Sequence, residues 1–227
     1  EFYRSNPELD LDLIEQNVIL ETFEDEIRKI QESDMSVEQK VSSVKEMLDK
    51  YFVYGSNLRS MVKTMSSKGE NDIWTKLQGY VYGQRMLDAN VFPGFIDFIG
   101  FANSNNIEVL IVSHKTLYPY LGKKYNLHIS ARGFISKFLI NQDEKVFDKE
   151  NTFFELTQEK KAMRISQESC DFFVDDLPEI FALRDFPHKT KKILFDPNSN
   201  HKKFNGGVTC PSWKNIQDLV SHEFFER

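Results

Sequence analysis

The feature that most limits what this chain can fold into is the run Ile107-Glu108-Val109-Leu110-Ile111-Val112. Apart from Glu108 it is apolar without alternation, so it does not suit a strand with one wet face, and it is too short for an ordinary helix. Such a run fits a strand buried on both sides of a parallel sheet, whose two faces must then be covered by helices. Three more segments fit the same description: Thr152-Phe153-Phe154, Phe172-Phe173-Val174 and Lys192-Ile193-Leu194-Phe195. Stretches with helical spacing separate them, so residues 91–227 read as repeated β-α units around a parallel sheet.

The first 90 residues have a different texture and carry no convincing strand. Asn6-Pro7 supplies a cap and first-turn pair, and Leu20, Phe23, Ile27 and Ile30 follow at helical spacing. Ser33-Asp34-Met35-Ser36 breaks that helix, and Val41, Val44, Leu48 and Tyr51 mark the next. Gly55-Ser56 and Lys68-Gly69 punctuate a third stretch, and Trp74 to Asn90 reads as helical with interruptions at Gly79 and Gly83. Past Pro93-Gly94 a helix runs through Phe95, Phe98 and Phe101, and Ser212 caps a last one through Trp213, Ile216, Leu219 and Val220. The expected division is a helical region over 1–90 and an α/β core over 91–227.

Charge and cysteine usage narrow the function classes. A formal net charge of -6 argues against a nucleic-acid partner, because phosphate binding usually needs a basic face. Lys189, Lys191, Lys192 and His201-Lys202-Lys203 are local exceptions, read as solvated loop charge. Cys170 and Cys210 make neither a disulfide framework nor a zinc spacing, which fits a reducing compartment. No apolar run approaches the roughly 18 residues of a membrane span and no signal peptide is apparent, so the expectation is a cytoplasmic protein without a membrane partner. Neither a GxGxxG nor a GxxxxGK[ST] run occurs, which disfavours a nicotinamide or nucleotide-loop protein.

In open α/β sheets ligands bind at the carboxyl ends of the strands. There the expected strands carry Ser113-His114-Lys115-Thr116, Asp175-Asp176 and Asp196-Pro197-Asn198, with Glu159-Lys160-Lys161 opening the helix that leads into Asp175-Asp176. A hydroxyl and a lysine for phosphate, with paired carboxylates for a hard divalent cation, outline a phosphoryl-transfer site. Each residue has a duller reading as well. Ser113 suits a helix cap, Asp175-Asp176 a turn, Lys160 and Lys161 surface charge, and Asp196 a structural place on the last strand.

The order of these words resembles the haloacid dehalogenase-like superfamily. Trp74-Thr75-Lys76-Leu77-Gln78-Gly79 with Val81-Tyr82-Gly83, Phe92-Pro93-Gly94-Phe95, Ser113-His114-Lys115-Thr116, Phe153-Phe154-Glu155-Leu156-Thr157, Phe173-Val174-Asp175-Asp176-Leu177-Pro178-Glu179 and Ile193-Leu194-Phe195-Asp196-Pro197 are similar to one bacterial subgroup, from about Ser56 to about Asn200. The resemblance implies a Rossmannoid three-layer core with a helical N-terminal cap, and magnesium-dependent hydrolysis of a small phosphorylated metabolite. It implies that Ser113 binds the phosphoryl group, with His114 beside it. Lys161, or its neighbour Lys160, would neutralise nucleophile and phosphate, and Asp176 would ligate Mg2+ with Asp175 helping. Substrate choice would lie around Trp74 to Tyr82.

The family's nucleophile stands in an Asp-x-Asp-x-Thr motif after the central strand, ahead of all these words. Here only Asp10-Leu11-Asp12-Leu13-Ile14 comes near it, without a preceding apolar strand and with Ile14 in place of threonine. Three readings stay open: an aspartate upstream of Glu1, Asp10 itself, or loss of the nucleophile. The last would make the chain a catalytically inactive binding protein of the same fold. A separate rival is an interaction module in which residues 1–54 form an oligomerising helical hairpin.

Overall fold

The computed structural model describes residues 22–23, 25–51, 71–138, 140, 141, 144, 145, 147, 150–199, 201 and 204–225. Asp10 to Ile14, Gly55-Ser56, Lys68-Gly69, Lys202 and Lys203 lie outside the described residues. Two compact units divide the chain: Glu1–Ala89 with Tyr118–Gly133, and Asn90–Leu117 with Phe134–Arg227.

The first unit is helical among its described residues. It contains α1 (residues 25–32), α2 (Val37–Tyr51) and α3 (Asn71–Gly79). The start of α2 is set by a reciprocal cap: the Ser36 hydroxyl accepts from the Gln39 amide at 3.3 Å, and the Gln39 side chain accepts from the Ser36 amide at 2.9 Å. This satisfies two donors that a helix start would otherwise leave orphaned. Residues three and four apart then share a face, and Phe23, Ile27, Ile30, Val41, Val44, Leu48, Ile73 and Leu77 bury together. Lys76 on α3 reaches Glu38 on α2 at 2.6 Å.

The stretch from Trp74 to Asn90 is not one α-helix. α3 ends at Gly79, a π-helical turn runs over Tyr80–Gln84, and a 3-10 turn covers Met86–Asp88. The widened turn coincides with a close approach by residues 119–125. A Cβ on Gly79 would lie 2.7 Å from the Pro119 ring, and one on Gly83 would lie 2.5 Å from the Tyr125 Cβ. These glycines, four apart, leave a trough on one side of the helix into which the loop sinks.

The second unit is mixed α/β. It holds α4 (Phe95–Ser104), β1 (Ile111–His114), the short antiparallel pair β2 (Ile140–Asn141) and β3 (Glu144–Lys145), then β4 (Thr152–Glu155), α6 (Gln158–Gln167), β5 (Phe172–Asp175), a 3-10 turn at Pro178–Ala182, β6 (Lys191–Phe195), β7 (Val208–Cys210) and α7 (Trp213–Phe225). Helix α5 (Leu127–Phe138) contributes residues to both units. The parallel strands form two short ladders, β1 with β4 and β5-β6-β7, in place of the single sheet that the sequence suggested.

Alternate residues of these strands feed two different cores. Ile111, Phe154, Phe172, Val174, Ile193 and Phe195 pack with Phe98 of α4 and Ile216 of α7. Val112, Phe153, Phe173 and Leu194 pack with Ala162 and Ile165 of α6 and with Ile180 and Phe181. Strands β1, β4, β5 and β6 therefore carry apolar residues on both faces, which is why their sequences lack alternation.

The first strand is displaced from its expected place. The apolar run suggested 107–112, whereas the ladder begins at Ile111 opposite Thr152, with Asn151 accepting from the Ile111 amide at 2.9 Å. Residues 107–110 have no place in the ladder, because the partner strand starts only at Thr152. One further expectation is corrected. Lys191, read only as loop charge, joins Lys192 as the first two residues of β6, and both side chains snorkel. The Lys191 ammonium pairs with Glu223, and that of Lys192 donates to the Phe181 carbonyl at 2.8 Å. Strand β7 and the β2–β3 pair had no counterpart in the sequence reading.

Candidate functional site

Helix α6 owes its starting point to Thr157. This residue sits in an extended conformation, and its hydroxyl accepts from the Lys160 amide at 3.2 Å. Once the first turn is fixed, Lys161 falls on the buried side of the helix and Lys160 on the exposed side. Of the two lysines weighed from sequence, Lys161 is thus the one directed inward.

The Lys161 ammonium donates to the Asp175 carboxylate at the carboxyl end of β5. Both side chains are nearly closed to water, at 11% and 7% exposure, so each charge depends on the other to offset its lost hydration. The ammonium also lies 5.3 Å from the centre of the Phe173 ring, two residues before Asp175 on the same face of β5. The other Asp175 oxygen accepts from the Leu177 amide at 3.0 Å. That bond folds the chain back at Asp176, and Pro178, which disfavours helical geometry in the residue before it, then starts the 3-10 turn.

Asp176 is exposed at the bend just beyond Asp175. Adjacent carboxylates are hard oxygen donors of the kind Mg2+ takes, with water and phosphate oxygens completing its shell. Asp176 offers a donor of that kind, while both Asp175 oxygens already serve Lys161 and Leu177. Among the described residues no group of three or more His, Cys, Asp or Glu side chains is placed to hold a metal.

Ser113 and His114 occupy the last two positions of β1, inside the strand and not beyond it. Ser113 pairs in register with Phe154 and shares the strand face of Ile111, the opposite face from Val112. Its side chain is half-buried, and no hydrogen bond joins it to Lys161 or Asp175 among the described residues. His114 is exposed. The Glu159 carboxyl is held below its ordinary value chiefly by a backbone N–H, then by the Thr157 hydroxyl, with His114 a smaller contributor. Lys115, next along, donates its amide to Glu155 at 2.8 Å, and burial pushes its ammonium down from the usual lysine value.

The geometry thus brings Lys161 and Asp175 into contact and sets Glu159 within electrostatic range of His114. The start of α6 accordingly neighbours the carboxyl ends of both β1 and β5. Thr157 and Glu159 had no assigned role in the sequence reading, yet a threonine two residues before an acid is a recognisable helix-start signal. Glu155 is another missed participant: it accepts from Arg164 at 2.9 Å, and the guanidinium covers the Phe153 ring at 4.6 Å. Asp196, read as structural, is buried and accepts from the His201 amide at 2.8 Å.

A cleft of about 370 Å³ opens elsewhere, at the amino ends of β6 and β7, lined by His188, Lys189, Gly206, Gly207 and Glu223 among others. Shape and chemistry disagree about the site here. Chemistry is the better guide, because the cleft's Lys191 is already tied to Glu223 and parallel strands present ligands at their other ends.

No protein-family model matches the chain, and neither a curated protein nor a solved structure is detectably similar to it.

Proposed function

We propose that the second unit is a haloacid dehalogenase-like, magnesium-dependent hydrolase of small phosphate monoesters. The observation that carries this reading is the buried bond between Lys161 and Asp175, which fixes a cation at the carboxyl end of β5 beside the exposed Asp176. An ammonium held in place by a carboxylate can offset charge on a phosphoryl oxygen without rearranging during the reaction. Ser113 would supply a hydroxyl donor from the carboxyl end of β1, in the other ladder, with His114 at the rim. Asp176, assisted by Asp175, would hold Mg2+, which when bound would neutralise phosphate charge. The carboxylate nucleophile that such chemistry requires is not assigned to any described residue.

A second reading, a phosphate-binding member without catalysis, draws on the same carboxylate. Both oxygens of Asp175 are engaged, one by Lys161 and one by Leu177, which suits a structural latch. Hydrolysis of a generic aryl phosphate by the protein, with and without magnesium, separates the two. The hydrolase reading expects metal-dependent turnover that Asp176→Asn abolishes. Full turnover in that variant would remove Asp176 from the metal site. Phosphate binding that needs Lys161 but yields no turnover would favour the second reading.

A further inference from the structure

The loop that settles into the trough of Gly79 and Gly83 is held at both ends and exposed between them. At one end Pro119 is buried against Gly79; at the other, the Tyr125 ring covers Gly83 and its hydroxyl donates to the Gln84 side chain at 2.5 Å. Between these anchors Gly122 takes a left-handed turn at φ +82°. What the anchored loop presents to solvent is unusual: Tyr120 is 72% exposed, Tyr118 45% and Leu121 36%, with Lys123 and Lys124 exposed beside them. Ile129, on the first turn of α5 in the same unit, is 69% exposed.

The charge around this loop is segregated. From Tyr118 to Gly133, the stretch of this unit that holds the loop, the chain has no aspartate or glutamate, while it carries Lys123, Lys124 and Arg132, within a protein whose net charge is -6. A large exposed apolar group costs solubility unless something covers it, and a basic surround selects an anionic cover. Base stacking would use the tyrosines but has no use for Leu121 and Ile129. The boundary between lipid headgroups and acyl chains takes all of them: phenols sit at the wet edge, short aliphatic groups enter the apolar layer, and lysines meet acidic headgroups.

We propose that the segment Tyr118–Lys124 is a pre-shaped docking loop for an anionic lipid surface. Among the described residues no helix is long and apolar enough to cross a membrane, and peripheral docking needs none. The two anchors matter because a loop already fixed in its bound form loses less conformational freedom on adsorption.

The test is co-sedimentation of the protein with vesicles of phosphatidylcholine alone and of phosphatidylcholine with roughly 30% phosphatidylserine. The expected result is binding to the second only, weakened by added salt. Lys123→Glu with Lys124→Glu should lower that binding by about tenfold or more, since each lysine near an acidic surface is worth about fivefold. Tyr120→Ser with Leu121→Ser should lower it by a similar factor while the far-ultraviolet circular dichroism stays unchanged, because both side chains are exposed. Absence of binding to acidic vesicles overturns the proposal. So does binding that both double variants retain in full, or a single-stranded oligonucleotide bound in a Tyr120-dependent way while vesicles are not.

Discussion

Lys161 and Asp175 stand fourteen residues apart in the chain and meet through a direct, buried hydrogen bond. The connection spans most of α6, the turn after it and all of β5, so it reports on whether that whole α-to-β unit has closed correctly. Removing one partner leaves the other charged and out of water. Lys161→Met or Asp175→Leu alone should cost about 3–5 kcal/mol. The double variant should recover most of that loss, because both charges leave together. Urea unfolding of the four proteins measures the coupling, and simple additivity would show that the two residues are not paired in solution.

Thr157 should matter through geometry and not through chemistry of its own. Its hydroxyl satisfies the Lys160 amide, so Thr157→Ala should lower stability by about 1 kcal/mol, with Thr157→Ser restoring most of it. Chemical denaturation is sufficient to see the difference. An alanine variant as stable as the parent would mean that the first turn of α6 is capped by something else.

Three glycines offer a controlled comparison. Gly83→Ala places a methyl group against the Tyr125 Cβ, which cannot swing aside as a side-chain tip would, and Gly79→Ala meets the Pro119 ring. Overpacking of this kind costs about 1–3 kcal/mol and outweighs the helix propensity gained. Gly100, exposed within α4, has nothing within 4 Å of where a methyl group would stand, so Gly100→Ala should stabilise by about 0.5–1 kcal/mol. Thermal melts of the three variants should rank in that order, and Tyr125→Ala should relieve part of the Gly83→Ala loss.

Acid should expose the contribution of Glu159. Its carboxyl is held below the ordinary value of 4.5, first by a backbone N–H, then by Thr157, with His114 adding to both. A carboxyl depressed in the folded state stabilises above its unfolded pKa and loses that contribution as pH falls through the folded value. The difference in melting temperature between the parent and Glu159→Gln should therefore be present at pH 6 and shrink below 4.5. A difference that grew with acid would reverse the assigned sign.

Much of the second unit was legible because burial on both faces writes an unmistakable pattern. Phe172-Phe173-Val174 and Ile193-Leu194-Phe195 could hardly be anything but inner strands, and the ladders run over Phe172–Asp175 and Lys191–Phe195. The start of β1 was not legible, since it is set by where its partner begins, about 40 residues further along the chain, and local sequence carries no trace of that. Strand β7 is three residues long, with Val208 and Thr209 exposed, so it leaves no apolar run. At the candidate site, the acidic pair and the lysine stood out from sequence, but the choice between Lys160 and Lys161 depended on the phase of α6. That phase comes from Thr157. The widened turn at Tyr80–Gln84 was signalled only by two glycines, whose purpose became clear with the loop they admit.

The double-sided packing of the strands has a further effect on where polar groups can stand. With one face given to α4 and α7 and the other to α6, a hydrophilic letter placed midway along β1, β4, β5 or β6 would replace apolar packing whichever side it took. Such letters are pushed outward to the tips, where Ser113 and His114, Glu155, Asp175 and Asp196 now gather. Sequence change at the exposed His114 and Asp176 can therefore alter the surface at these tips while the interior that keeps the unit folded is left untouched.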